Sequence, residues 1–296
     1  MENKIRKFRY NTGNEWFKGN THIHSVVSDG GKTFSELAEM YSRAGFRFLC
    51  RADHWQCSDI AADTEQYPLL WLDGIELDGV DSFGGAFHIV LLGTLKDIVR
   101  EMGLDAAIEA GRKQGALIIL AHPAWTATTI EASLRWRFDG VEVYNHIARW
   151  LNGKSDGVFH WNSMLKQKPG TLAFAVDDAH ISHYHPGWNG GWIVVNALQC
   201  SRAAIMDAIR AGNYYSSCGP DFRSIEFDGT NVNIETSPIR FARLVGPDSS
   251  GEQIGTFWEQ PFTSASFKAP SGWEYAYIEI EDDQGRRAWS NTLFAE

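Results

Sequence analysis

Two histidines one residue apart, His22 and His24, are followed by Asp29 in the segment "GNTHIHSVVSDGG". On an extended strand residues i and i+2 point the same way, so the two imidazoles can share one ligand. Residues of the same kind recur along the chain: Asp53 and His54 in "RADH", Glu76 in "GIE", His88 in "FHIVLLG", His122 in "AHP", and Asp178 with His180 in "DDAH". A single histidine after a strand is most often a hydrogen-bonded structural residue. A repeated series of imidazoles and carboxylates, some in pairs one apart, is instead a ligand set for more than one divalent ion. With no thiolate among them, these donors suit zinc, manganese or iron. Two such ions close together lower the pKa of a shared water toward neutrality and polarise the phosphoryl or carbonyl oxygen under attack.

Residues so far apart in sequence converge only if separate elements deliver them to one place. The apolar runs "FRFLCRAD", "FHIVLLG", "GALIILAH", "GVEVYN", "TLAFAVDD" and "GWIVVNA" have the length and composition of strands buried on both faces. Between them, "TFSELAEMYSRAGF" has a capping box in Thr33 and Glu36 and a stop at Gly45, and "GLDAAIEAGRKQG", "SDGVFHWNSMLKQ" and "SRAAIMDAIRAGN" also read as helical. This alternation predicts a parallel α/β sheet, and the polar residues at the C-terminal ends of its strands favour a closed or nearly closed, TIM-like barrel. Past residue 222 the pattern changes to period two with Asp228-Gly229 and Gln284-Gly285 turns, which predicts a small antiparallel β-sandwich without histidine. The expected division is residues 1–221 for the barrel and 222–296 for the sandwich, with Gly219-Pro220 near the junction.

Composition narrows the partners. A formal net charge of −10, without a Lys/Arg cluster, disfavours nucleic acid and points to a small-molecule substrate. No apolar run approaches the roughly 18 to 20 residues of a membrane span. The opening "MENKIRKFRYNTGNEWFKGN" lacks the apolar centre of a secretory signal, so the expected location is cytoplasmic. Cys50, Cys57, Cys200 and Cys218 have no C-x-x-C spacing and read as free thiols. The sequence assigns no oligomeric state.

The ordered series "HIHS…SDG", "ADH", "GIE", "H", "AHP", "EVYN", "DDAH" resembles the PHP (polymerase and histidinol phosphatase) superfamily over roughly residues 16 to 220. "WFKGNTHIHSVVSDG", "AIRAGNYYSSCGP" and "AYIEIEDDQGRRAWSN" further resemble the two-domain PHP-type metallohydrolases related to carbaryl hydrolase. The resemblance implies a distorted (β/α)7 barrel holding two to three divalent ions. By it, His22, His24, Glu76 and Asp178 hold one ion, and Glu76 bridges to a second held by His88 and His122. His54 and His180 hold a third, with Asp29 standing where three-metal members have another histidine. Glu76, Asp178 and Asp53 are then the catalytic candidates, Asp53 by orienting a ligand histidine. Arg51, His183, His185 and Asn145 are candidates for substrate contact. Lys18 is a further possible anion contact, Glu142 a support, and Trp55, Trp125 and Trp188 candidate pocket walls. The expected activity is metal-dependent hydrolysis of a small phosphate ester by a hydroxide between the ions. The alternatives are hydrolysis of carboxylic or carbamate esters and a nonenzymatic, polymerase-associated module.

Overall fold

The computed structural model describes residues 7–59 and 66–295. Residues 1–6, part of the segment read above for a signal, lie outside it. A short β1 (Lys7–Phe8) precedes β2 (Glu15–Ile23), which carries His22 near its end. In α1 (Phe34–Arg43) the Thr33 hydroxyl accepts the Glu36 N–H while the Glu36 carboxylate accepts the Thr33 N–H, and the chain leaves through Gly45 at φ +85°. β3 (Phe48–Arg51) runs parallel to β2, and β4 (Leu70–Leu72) parallel to β3. β5 (Gly74–Val80) and β6 (Ala86–Leu92) form a hairpin, and α2 (Leu104–Lys113) leads to β7 (Leu117–Leu120). Then follow α3 (Ile130–Arg135), β8 (Gly140–Asn145), α4 (His146–Asn152), α5 (Val158–Leu165) and β9 (Leu172–Val176), with β8 parallel to both β7 and β9. β10 (Trp192–Ala197), α6 (Arg202–Ala211) and β11 (Tyr214–Ser217) complete this part.

The expected all-parallel order does not hold. β6 is antiparallel to both β5 and β7, and β10 is antiparallel to both β2 and β11. The β5–β6 reversal follows from its connection: residues 81–85 are too few for a parallel crossover, which takes about a dozen or more. The Asp81 carboxylate closes this turn by accepting the N–H groups of Phe83 and Gly85. Nor do the strands close into a barrel. One sheet has the order β5-β6-β7-β8-β9, and β2, β3 and β4 belong to another. Single bridges, His54 to Glu76 and Ile23 to Ala179, join the two sheets. Both bridges lie at the end where the histidines gather.

The remaining strands are β12 (Phe222–Phe227), β13 (Asn231–Ile239), β14 (Phe241–Val245), β15 (Gly251–Ile254), β16 (Phe262–Lys268), β17 (Tyr277–Glu281), β18 (Arg287–Ser290) and β19 (Phe294–Ala295), the last paired with β1. The predicted turns are present: Asp228 accepts the N–H groups of Thr230 and Asn231 across β12–β13, and Gly285 takes φ +72° between β17 and β18. β12, β13 and β16 form a three-stranded sheet whose Ile225, Val232, Ile234 and Phe267 share a core with Leu244, Ile278 and Ile280. Those last residues lie on strands of the nine-stranded sheet, order β15-β14-β17-β18-β11-β10-β2-β3-β4. That sheet is continuous across residue 221. Among the described residues no helix is long and apolar enough to cross a membrane.

One buried carboxylate ties the end of β9 to the loop beyond it. Asp177 accepts hydrogen bonds from Tyr41 Oη (2.8 Å) and from the N–H groups of Asn189 (2.8 Å), Gly190 (2.7 Å) and Gly191 (2.9 Å). A Cβ at Gly190 would lie 2.1 Å from the His146 ring, so the loop can pass here only as glycine. Asp177→Ala leaves these donors without their acceptor and should cost about 3 kcal/mol or more. Urea unfolding checks this; an unchanged midpoint would show that the loop holds without Asp177.

Candidate metal centre

Each of the histidine motifs lies where a strand gives way to a loop, and three of these turns use left-handed backbone at non-glycine residues: Trp55 (φ +54°), His122 (φ +24°) and Asp178 (φ +55°). Such conformations cost of order 1–3 kcal/mol each and persist where surrounding contacts over-determine them. Here they turn ligand side chains into the space between the sheets. His88 arrives differently. It sits near the start of the reversed strand β6, opposite Asp78 on β5, so its N-terminal end lies beside the C-terminal ends of the others.

The donor atoms form three groups, each able to hold an ion: His22, His24, Glu76 and Asp178; Glu76, His88 and His122; and His24, Asp29, His54 and His180. In the first, the Nε2 atoms of His22 and His24 are 3.1 Å apart. Glu76 Oε2 lies 3.2 and 3.1 Å from them, and Asp178 Oδ1 lies 3.3 and 3.1 Å from them. Ligand bonds of about 2.0–2.1 Å in a tetrahedron give donor separations of about 3.3 Å, close to these values. The chemistry of the donors agrees. His22 Nδ1 is 2.7 Å from Glu142 Oε1, which fixes the ring proton there and leaves Nε2 as a lone pair. Asp178 Oδ1 is buried and accepts no hydrogen bond. The residues therefore fit a divalent ion.

Glu76 divides its oxygens. Oε2 faces the first group, while Oε1 lies 2.9 Å from His88 Nδ1 and 3.3 Å from His122 Nε2. In the third group Asp29 Oδ2 is 3.3 Å from His180 Nε2 and 3.8 Å from His54 Nε2, and Oδ1 is 3.4 Å from His24 Nδ1. The groups differ in exposure: the first is wholly buried, whereas the Asp29 side chain is 53% exposed.

The other candidates separate sharply. His185 lines the cavity of about 210 Å³ over the ligands, together with Trp125, Ile147 and Leu151. His183 is exposed with its ring against Tyr184, outside that cavity. Asn145, expected to touch substrate, is fully buried: its Nδ2 donates to Glu142 (2.9 Å) and Asp178 (3.2 Å), and its Oδ1 caps α4. Arg51 is buried with its guanidinium 4.1 Å from the Phe34 ring centre, and it does not line the cavity. Lys18 donates to Asn189 and lies over Trp192. Asp53, expected to orient a ligand histidine, instead accepts the N–H and hydroxyl of both Ser25 and Ser28 and so shapes the loop that presents Asp29. Trp55 belongs to the core with its N–H on Asp78, and Trp188 packs on Tyr41. Sequence reading passed over Asp78, Ile147 and Leu151. Asp78 was accessible to it, since it follows Glu76 by two residues on the same face of a strand.

Comparison with solved structures finds one that shares the fold over the whole chain. A two-domain protein of Bacteroides vulgatus ATCC 8482, containing a predicted PHP-like metal-dependent phosphoesterase, is 14% identical with a TM-score of 0.53, covering 100% of this chain and 99% of that one. A protein of Bifidobacterium adolescentis ATCC 15703, assigned as a metal-dependent phosphoesterase, is 14% identical over 55% of this chain and 87% of its own, with a TM-score of 0.41. An amidohydrolase of Chromobacterium violaceum is 23% identical over 50% of this chain and 49% of its own, with a TM-score of 0.24. No family model and no curated protein matches the chain. The first likeness shows a shared mixed α/β fold, that of a two-domain protein containing a predicted PHP-like metal-dependent phosphoesterase.

Charge in the centre is strongly coupled. Burial opposes a proton on His22 and His24, yet Asp178 and Glu76 outweigh it, with Glu142 adding at His22. The His22 pKa stands well above the ordinary value and that of His24 is raised to about 9. Burial pushes Glu76 and Asp178 upward, but the surrounding histidines hold both low. Because the folded pKa of His24 exceeds its unfolded value of about 6.5, its proton stabilises the ion-free protein fully below that pH. The stabilisation is lost as pH rises through about 9. Cations compete for the same lone pairs. Ion-free protein should therefore lose thermal stability from pH about 6.5 to about 9, and added zinc or manganese should restore more at the upper end. Differential scanning fluorimetry checks both, and a flat ion-free profile would contradict the coupling.

A titration of stripped protein should also resolve two tight equivalents and a looser third. Asp29 is half open to water, where screening and side-chain freedom weaken its hold. Three equally tight steps would contradict that order.

Proposed function

We propose that the protein is a metal-dependent hydrolase of a small-molecule ester, with a phosphate ester as the preferred substrate. The observation that carries this is the division of Glu76, whose two oxygens each face a separate histidine group. Divalent ions held there, two or three of zinc, manganese or iron, supply a nucleophilic water at neutral pH and polarise the oxygen under attack. The chain does the rest. Glu76 sets the spacing of the two groups, and Asp178 reaches the first through Oδ1 and His122 of the second through Oδ2 at 3.5 Å. His185, on the cavity wall with its ring 5.4 Å from that of His180, is placed to pass a proton to a leaving group. Trp125, Ile147 and Leu151 give the leaving group an apolar wall. In this reading residues 1–221 carry all of the chemistry and 222–296 none, since all of the ligand candidates fall between 22 and 180.

A second reading, hydrolysis of a carboxylic or carbamate ester, is favoured by one specific feature. Among the described residues no lysine or arginine lines the cavity, so a phosphate group would find only ions and histidines for its charge. A carbonyl ester needs no more than these. Manganese-, zinc- and iron-loaded protein should be assayed with aryl phosphomonoesters, phosphodiesters, aryl acetates and aryl carbamates. The expected result is turnover of a phosphate ester, reduced more than about 100-fold by Glu76→Gln and little changed by His183→Ala. Turnover of the carbonyl esters alone, with the same dependence on Glu76, would replace the first reading with the second. Full turnover in excess chelator would remove both.

A further inference from the structure

β5 alternates Ile75 and Leu77, both buried in the core, with Glu76 and Asp78 on the opposite face. Glu76 enters the ion groups and Asp78 does not. Asp78 Oδ1 lies 3.1 Å from Nδ1 of His54, a buried nitrogen that makes no well-aligned hydrogen bond, so Asp78 is the carboxylate within reach of its proton. A neutral imidazole carries one N–H, so whatever takes the proton on Nδ1 leaves Nε2 as a lone pair. His54 Nε2 is the atom that faces Asp29 and Glu76.

Asp78 is itself held. Arg100 donates to both its oxygens (Nη1 to Oδ2 at 2.9 Å, Nη2 to Oδ1 at 2.8 Å), and Trp55 Nε1 donates to Oδ1 at 3.0 Å. The Arg100 guanidinium also lies over the Trp55 ring, 5.1 Å from its centre. Trp55 follows His54 directly and occupies left-handed backbone, so the contacts that seat its indole also fix the backbone beside the ligand. The same logic operates at His22, where Glu142 takes the Nδ1 proton at 2.7 Å and is held by the His122 N–H and Asn145.

We infer that Asp78, clamped by Arg100 and Trp55, is the positioning residue that makes His54 a ligand of the third ion group. This rests on the metal reading above and goes beyond it by naming a residue outside the ion groups on which the third group depends. Arg100 is 56% exposed, so the tautomer of a ligand histidine is controlled from the protein surface.

The test is cobalt(II) titration of stripped full-length protein, read by visible absorption, with circular dichroism confirming the fold. Wild type should take up three equivalents. Asp78→Ala should weaken the third by about 10–100-fold and leave the first two unchanged. Asp78→Asn, which keeps an acceptor oxygen, should lose less. Glu142→Gln should instead weaken the first step. If Asp78→Ala does not fold, Arg100→Gln, which keeps the carboxylate but frees it to turn, should weaken the third step by a smaller factor. A third step in these folded variants that superimposes on wild type overturns the inference while leaving the metal reading intact. So does a wild type that takes up only two equivalents. A wild type that takes up none overturns the metal reading itself.

Discussion

Everything at the centre depends on one buried carboxylate surrounded by imidazoles. Glu76 is 1% exposed, and a lone carboxylate at that depth would be prohibitively costly. Its oxygens have His22, His24 and His54 on one side and His88 and His122 on the other. Without ions the arrangement is tolerable only if some of those rings carry protons, which is why the His24 pKa rises to about 9 and that of Glu76 falls. With ions bound, the cations take over the role of the protons. The centre is thus built to exchange one kind of positive charge for another, and the fold must hold rings from several strands rigid during that exchange.

Several of the ligands are held by residues that are not themselves in the ion groups. Glu142 uses one oxygen on His22 and the other on the His122 N–H and Asn145, and Asn145 passes a further bond to Asp178. Residues of β8 therefore fix ligands from β2 and from the loops after β7 and β9 without being ligands. The two isolated bridges between the sheets fall at the same level, His54 with Glu76 and Ile23 with Ala179. Where the strand ladder is open, side chains of the centre hold the sheets together, so the site is part of what closes the fold.

This division explains what the sequence could disclose. The clustering of candidate ligands was legible because their chemistry is unusual at strand ends and because alternation on a strand dictates which residues share a face, as for Glu76 and Asp78. Strand direction was not legible, since an apolar run such as "FHIVLLG" reads alike both ways; only the five-residue connection from β5 betrays the reversal of β6. The destinations of Arg51 and Asn145 were hidden for a different reason. Arg51 ends on Phe34 and Asn145 on Glu142 and Asp178, partners brought close only by tertiary packing. Asp53 was read as a support of histidine because it precedes His54, yet adjacent residues on extended backbone point to opposite sides, and it serves the serine loop instead.

The three ion groups also lie along a gradient of solvation, and the gradient assigns them different work. The four residues of the first group are buried, so the charge of an ion there would be little screened. The second keeps His88 partly open beneath Trp125. The third reaches solvent through Asp29, on a loop shaped by Asp53 and the two serines. A substrate of the proposed kind would meet the more open groups first, beside the apolar side chains of Trp125, Ile147 and Leu151. On the proposed reading, an ion in the buried group would chiefly fix the geometry of Glu76, while ions in the outer groups would present the charge that a substrate meets. Glu76 belongs to the first two groups and His24 to the first and third, so neighbouring groups share single side chains from the mouth to the floor of the centre.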